Sequence, residues 1–152
     1  MILNRQRGVR VPAQELEKFL SRARRALRLP SDAVTVCLVS NSEIARWNQA
    51  YRKKAGPTDV LSFPVDEAEG KIGPRGRRRS RVQPSWDSYL GDIAIAPAVA
   101  RRNAVRFGRT FGEEMRILIL HGMLHLMGYD HETDTGQMDR RERRLRRDLG
   151  LA

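Results

Sequence analysis

Cysteine is nearly absent from this 152-residue chain, Cys37 being the only one. It sits inside Val34-Thr-Val-Cys-Leu-Val39, an apolar run that reads as a core strand with no cationic neighbour to activate the thiol, so a packed side chain is expected. Long apolar runs are absent too, and none approaches the roughly 18 residues a membrane span needs. No apolar segment follows Arg5, Arg7 and Arg10, so neither a secretory signal nor a membrane partner is expected, and the reading is a cytoplasmic protein. Carboxylates are scarce beside cations: 18 Asp and Glu stand against 29 Lys and Arg, a formal net charge of +11. Nearly all of the excess is arginine, whose planar fork suits phosphate, so the composition points to a polyanionic partner. The length fits one domain spanning residues 1–152.

Apolar spacing predicts a helix from Pro12 to Leu27, carried by Leu16, Phe19, Leu20, Ala23 and Leu27. A strand over Val34 to Val39 follows, then a helix capped by Asn41 or Ser42 that turns Ile44, Ala45 and Trp47 inward and fades near Tyr51. Asp59 to Phe63 reads as a short strand stopped by Pro64. Residues 66–88 lack apolar periodicity and collect glycine, proline and arginine, so a mobile Arg-rich loop is expected there. Tyr89 to Ala96 is a strand, and Pro97 opens a helix with Phe107 among its apolar residues, closed by Gly108. Thr110 and Glu113 form a capping box for a helix running to Gly128 that is apolar on nearly every side. A last helix spans about Thr135 to Leu149, with Met138, Leu145 and Leu149 on one side and six arginines between Arg140 and Arg147. Helices and strands mix without strict alternation, which defines an α+β class: a small mixed sheet packed with about five helices, the central one buried.

All three histidines fall within eleven residues, His121 to His131. His121 and His125 stand four apart on that central helix, which brings their Cβ atoms to roughly 5–6 Å and lets both imidazoles meet one ion. Gly128 permits a sharp turn that returns His131 to the same face. Three imidazoles leave a tetrahedral ion one open position, the mark of a hydrolytic rather than a structural site, where a water becomes acidic near neutral pH. The arrangement is zincin-like, yet the glutamate that zinc peptidases place after the first histidine is here Gly122, so peptide hydrolysis lacks its base.

These residues carry a resemblance. The signature His121-Gly-x-Leu-His125-Leu-x-Gly128-Tyr-Asp-His131 is one part of it. The others are Asn48-x-x-Tyr51-Arg52 leading into Thr58-Asp59-Val-Leu-Ser-Phe63, Leu90-Gly-Asp-Ile93, and Met138-x-x-x-Glu142. Together they resemble the YbeY family of bacterial metal-dependent endoribonucleases, associated with ribosomal RNA maturation and ribosome quality control. The resemblance implies one zinc, or another divalent transition metal, on His121, His125 and His131, with His121 and Arg52 needed for catalysis. It further implies single-stranded RNA, in ribosomal RNA or the small ribosomal subunit, as the partner. From the residues themselves, Arg52 lies where a helix gives way to a loop and could set its guanidinium against a phosphate.

Other positions stay open at this level. Arg75, Arg77, Arg78 and Arg79, with Trp86 as a stacking side chain, extend an RNA surface or belong to a solvated loop. Asp59 and Asp92 read first as turn or cap acceptors; Asp130 is a turn residue or a partner orienting an imidazole. No residue stands out as general base. A metallopeptidase and a non-catalytic zinc-stabilised RNA- or ribosome-binding module remain the alternatives.

Overall fold

The computed structural model describes residues 1–65, 89–130 and 132–151. The elements run β1 (Ile2–Asn4), α1 (Ala13–Ala26), β2 (Val34–Leu38), α2 (Asn41–Arg52), β3 (Val60–Pro64), β4 (Gly91–Ile95), α3 (Pro97–Phe107), α4 (Phe111–Leu126) and α5 (Gln137–Asp148). The class is α+β, as expected. The strands order as β1-β2-β4-β3, with β1, β2 and β4 parallel and β3 antiparallel to β4. The expected mobile loop over 66–88, with Arg75, Arg77, Arg78, Arg79 and Trp86, lies outside the described residues.

Strand geometry points alternate residues to opposite faces, and β2 and β4 are buried on both. One face carries Val34, Val36, Leu38, Ile93 and Ile95 against Leu16 and Phe19 of α1, Ile119 and Met123 of α4, and Met138 and Leu145 of α5. The other carries Cys37, Leu61, Phe63 and Ala94 against Ile44 of α2. Cys37 is thus packed, as expected. Trp47 is only half-buried, its ring meeting Phe63 edge-on at 5.9 Å. Strand β3 is an edge and alternates in burial, which accommodates Pro64 at its last position and leaves one side of the strand open to a cleft.

Helix α4 is the spine of the molecule. Thr110 and Glu113 form the capping box, and the hydrogen bonds from the Thr110 backbone and hydroxyl hold the Glu113 carboxyl below its ordinary range. Its other end closes in a Schellman turn: Gly128, at φ 100°, donates to the His125 carbonyl at 3.0 Å and Tyr129 donates to Leu124 at 3.1 Å. Gly122 lies where α4 presses on the sheet, and a Cβ there would meet Ile93 side-chain atoms at 2.9 Å.

Three expectations shift. β1 had no sequence signal, because three residues, none of them buried, show no period. The cap of α2 is Ser40, one residue early, its hydroxyl accepting from the Glu43 amide at 3.2 Å. Phe107 is not interior: it is 54% exposed, because α3 ends at Gly108 in the left-handed region before its third apolar turn reaches the core.

Gly91 controls the approach of β3 to β4. At φ 153°, its absent Cβ would lie 2.3 Å from the Phe63 carbonyl oxygen, and a paired backbone cannot yield as a side chain tip can. Gly91→Ala is expected to destabilise by about 2 kcal/mol or more, lowering Tm by roughly 4–8 °C. Thermal unfolding checks this, and an unchanged Tm contradicts it.

Candidate metal and phosphate site

His121 and His125 stand one turn apart on α4, on the side that faces the open flank of β3. Their Nε2 atoms are 3.2 Å apart and their rings meet edge-on at 74°. Two imidazoles bound at 2.0–2.1 Å to a tetrahedral ion have nitrogens about 3.3 Å apart, so the pair has the spacing of two ligands. The tautomer agrees. Nδ1 of His121 donates at 2.8 Å to Oε1 of Glu142, since a carboxylate can only accept. In the neutral ring that tautomer puts the lone pair on Nε2, the atom 3.2 Å from His125 Nε2.

Glu142 comes from α5, and its second oxygen is held by Arg146 one turn along. Burial alone pushes its carboxyl up. The hydrogen bond from His121, with the charge of that ring when it is protonated, and the Arg146 guanidinium outweigh that cost and hold the group below the usual carboxylate range. An Arg146–Glu142–His121 chain thus ties α5 to the imidazole, an arrangement that orients metal-binding histidines. Sequence reasoning missed this role. The Glu142 to Arg146 spacing is visible as a helical pair, but nothing local links Glu142 to a histidine 21 positions away.

Arg52 reaches the same place from the last turn of α2. The buried Asn48 fixes it there: its side-chain amide donates to the Gly56 carbonyl at 2.9 Å, and its backbone carbonyl accepts from the Lys54 amide at 3.2 Å. The helix then ends through Lys53 in the left-handed conformation, at φ 59°. Arg52 meets Glu132 at 3.4 Å, with side chains 38% and 55% exposed. Arg52, His121, His125, Asp59 and Ser62 line one cleft of about 770 Å³.

Among the described residues, no group of three side chains completes a metal set with the pair; His131 lies outside them. Asp130 is a turn acceptor, its carboxylate taking the Glu132 amide at 3.0 Å. Asp59 accepts from Asn103 at 3.1 Å and from the Thr58 hydroxyl at 3.3 Å. Asp92 is buried on β4 and accepts from the Tyr89 hydroxyl. Gly122 bears on chemistry as well as packing. Its missing Cβ points to Ile93 and the sheet, away from the cleft, so a glutamate there would not face the histidines.

The fold and site define an α+β protein in which two converging imidazoles and an arginine share one polar cleft. The family model described as Endoribonuclease YbeY matches residues 1–150. A protein named Endoribonuclease YbeY from Koribacter versatilis is 38% identical over 99% of this chain and 86% of its own. One of the same name from Geobacillus thermodenitrificans is 41% identical over 80% of this chain and 74% of its own. The solution structure of TM1509 from Thermotoga maritima aligns with a TM-score of 0.57 and 28% identity, covering 98% of this chain and 89% of that one. The chain therefore belongs to the YbeY family of endoribonucleases.

Glu142→Gln keeps the shape of the side chain and removes its charge. The expected result is a metal affinity about 10–100-fold weaker, read by competition with a chromogenic chelator, while the circular dichroism spectrum stays native. Unchanged affinity would mean that Glu142 packs α5 and nothing more.

Proposed function

We propose that the chain is a cytoplasmic, metal-dependent endoribonuclease that cleaves single-stranded RNA, acting in ribosomal RNA maturation and ribosome quality control on the small subunit. In this reading the whole chain is one catalytic domain. The observation that carries it is the 3.2 Å approach of the His121 and His125 Nε2 atoms in a cleft that also holds Arg52.

His121 and His125 would hold one zinc per chain, with His131 as the third ligand on the strength of its spacing past Gly128. Another divalent transition metal suits the same imidazoles. A bound ion supplies Lewis acidity toward a phosphodiester. The remaining work belongs to the chain. Glu142 keeps His121 in the tautomer that offers Nε2. Arg52 places its guanidinium against the non-bridging phosphate oxygens, where charge grows as the bond to the leaving group breaks. Its resting partner Glu132 is easily displaced: an exposed ion pair contributes about 0–1 kcal/mol, less than a two-pronged contact to phosphate. Arg75, Arg77, Arg78, Arg79 and Trp86 would extend the RNA surface.

Peptide hydrolysis is disfavoured by the direction of Gly122 as well as by its lack of a carboxylate. No helix among the described residues is long and apolar enough to cross a membrane, in keeping with a cytoplasmic site of action.

Cleavage of a single-stranded RNA oligomer by metal-loaded protein tests the reading. Arg52→Ala is expected to lower kcat on the order of 10²–10³-fold with metal content retained. His121→Ala is expected to lose metal and cleavage together. Equal cutting by wild type and both variants would trace the activity to a contaminant and contradict the proposal.

A further inference from the structure

Helix α3 and the glycine turn after it carry Arg101, Arg102, Arg106 and Arg109 and no acidic residue between Pro97 and Arg109. Among the described residues, Arg102 and Arg106 have no carboxylate partner, unlike α5, where Arg143 pairs with Asp139 and Arg146 with Glu142. The nearest acidic side chains are engaged. Glu114 is buried and takes Arg109 at 2.8 Å, and Glu113 turns back on the Thr110 amide.

Within this cationic end stands Phe107, the one exposed aromatic ring among the described residues. The Arg106 and Arg109 guanidinium carbons lie 5.8 and 5.2 Å from its centroid. An isolated exposed phenylalanine has no special meaning. A ring flanked by two guanidiniums, where the nearby carboxylates Glu113 and Glu114 are already engaged, is different: it sets a stacking ring beside the phosphate-binding fork of Arg106, the combination that single-stranded nucleic acid requires.

The position relates this patch to the cleft. Asn103 donates to Asp59, which lines the cleft, and Phe107 is one turn further along α3, a rise of about 6 Å on the same side of the helix. We propose that Phe107, with Arg106, forms a platform on which single-stranded RNA leaving the cleft past Asp59 stacks a base and neutralises a flanking phosphate, Arg109 staying on Glu114. The proposal rests on the ribonuclease reading and adds to it a second contact point outside the cleft. Stacking is indifferent to base identity, so the platform selects unpaired strands over duplexes without selecting sequence.

The test compares wild type with Phe107→Ala, Phe107→Trp and Arg106→Ser, all at exposed positions, by anisotropy of labelled RNA. Phe107→Ala is expected to bind a single-stranded 12-mer roughly 10-fold more weakly, with trinucleotide turnover unchanged. Phe107→Trp should restore affinity, and its added fluorescence should be quenched by single strands more than by duplex. Arg106→Ser should reduce the salt slope of binding by about one. Wild-type affinity for the 12-mer in Phe107→Ala overturns the platform, as does a change in self-association with RNA affinity intact. Wild type that binds RNA without cutting it would instead contradict the ribonuclease reading, leaving the platform to be judged on affinity and quenching alone.

Discussion

The hydrogen bond from His121 Nδ1 to Glu142 is the contact on which the site depends. Two histidines a turn apart on a helix can adopt several tautomers, and only some of them leave an unprotonated nitrogen facing the other ring. A carboxylate behind His121 removes the choice. That carboxylate works only if α5 is docked, and α5 docks through Met138 and Leu145, which join the core cluster that also holds Ile93 and Met123. The central helix is seated in turn by the absence of a side chain at Gly122, which lets its backbone approach Ile93. The imidazole geometry therefore depends on the packing of the main core, not on a local loop.

The second half of the site is held differently. Arg52 ends a helix on the other face of the sheet and reaches the cleft around the edge strand β3, where a paired strand would otherwise close the gap. Its mooring is the buried side chain of Asn48, an amide satisfied by the turn that follows α2. Imidazoles from a buried spine and a guanidinium from a surface helix end meet across an open sheet edge. A cleft built this way is wide and polar, suited to a strand of nucleotides rather than to a small apolar ligand.

Much of this was legible in the sequence, for physical reasons that can be named. The capping box at Thr110, Pro97 at a helix start and Gly128 in a closing turn are local signals, and each element begins or ends where they stand. The pairing of His121 with His125 follows from helical spacing alone. What escaped is what tertiary contact decides. Glu142 and Asn48 act through partners that no period or motif connects to them. The exposed ring of Phe107 violates the helical pattern because its helix stops before the core is reached. Strand β1 has only three residues and exists because β2 offers it a parallel neighbour.

In the proposed site, His121, His125 and His131 form one metal centre. X-ray absorption at the metal edge of the purified protein, joined to elemental analysis, tests it most directly. The expected result is one ion per chain with imidazole nitrogens at about 2.0–2.1 Å, reduced in occupancy when His131 is replaced by alanine. Full occupancy without His131, or a shell lacking imidazole scattering, would contradict it.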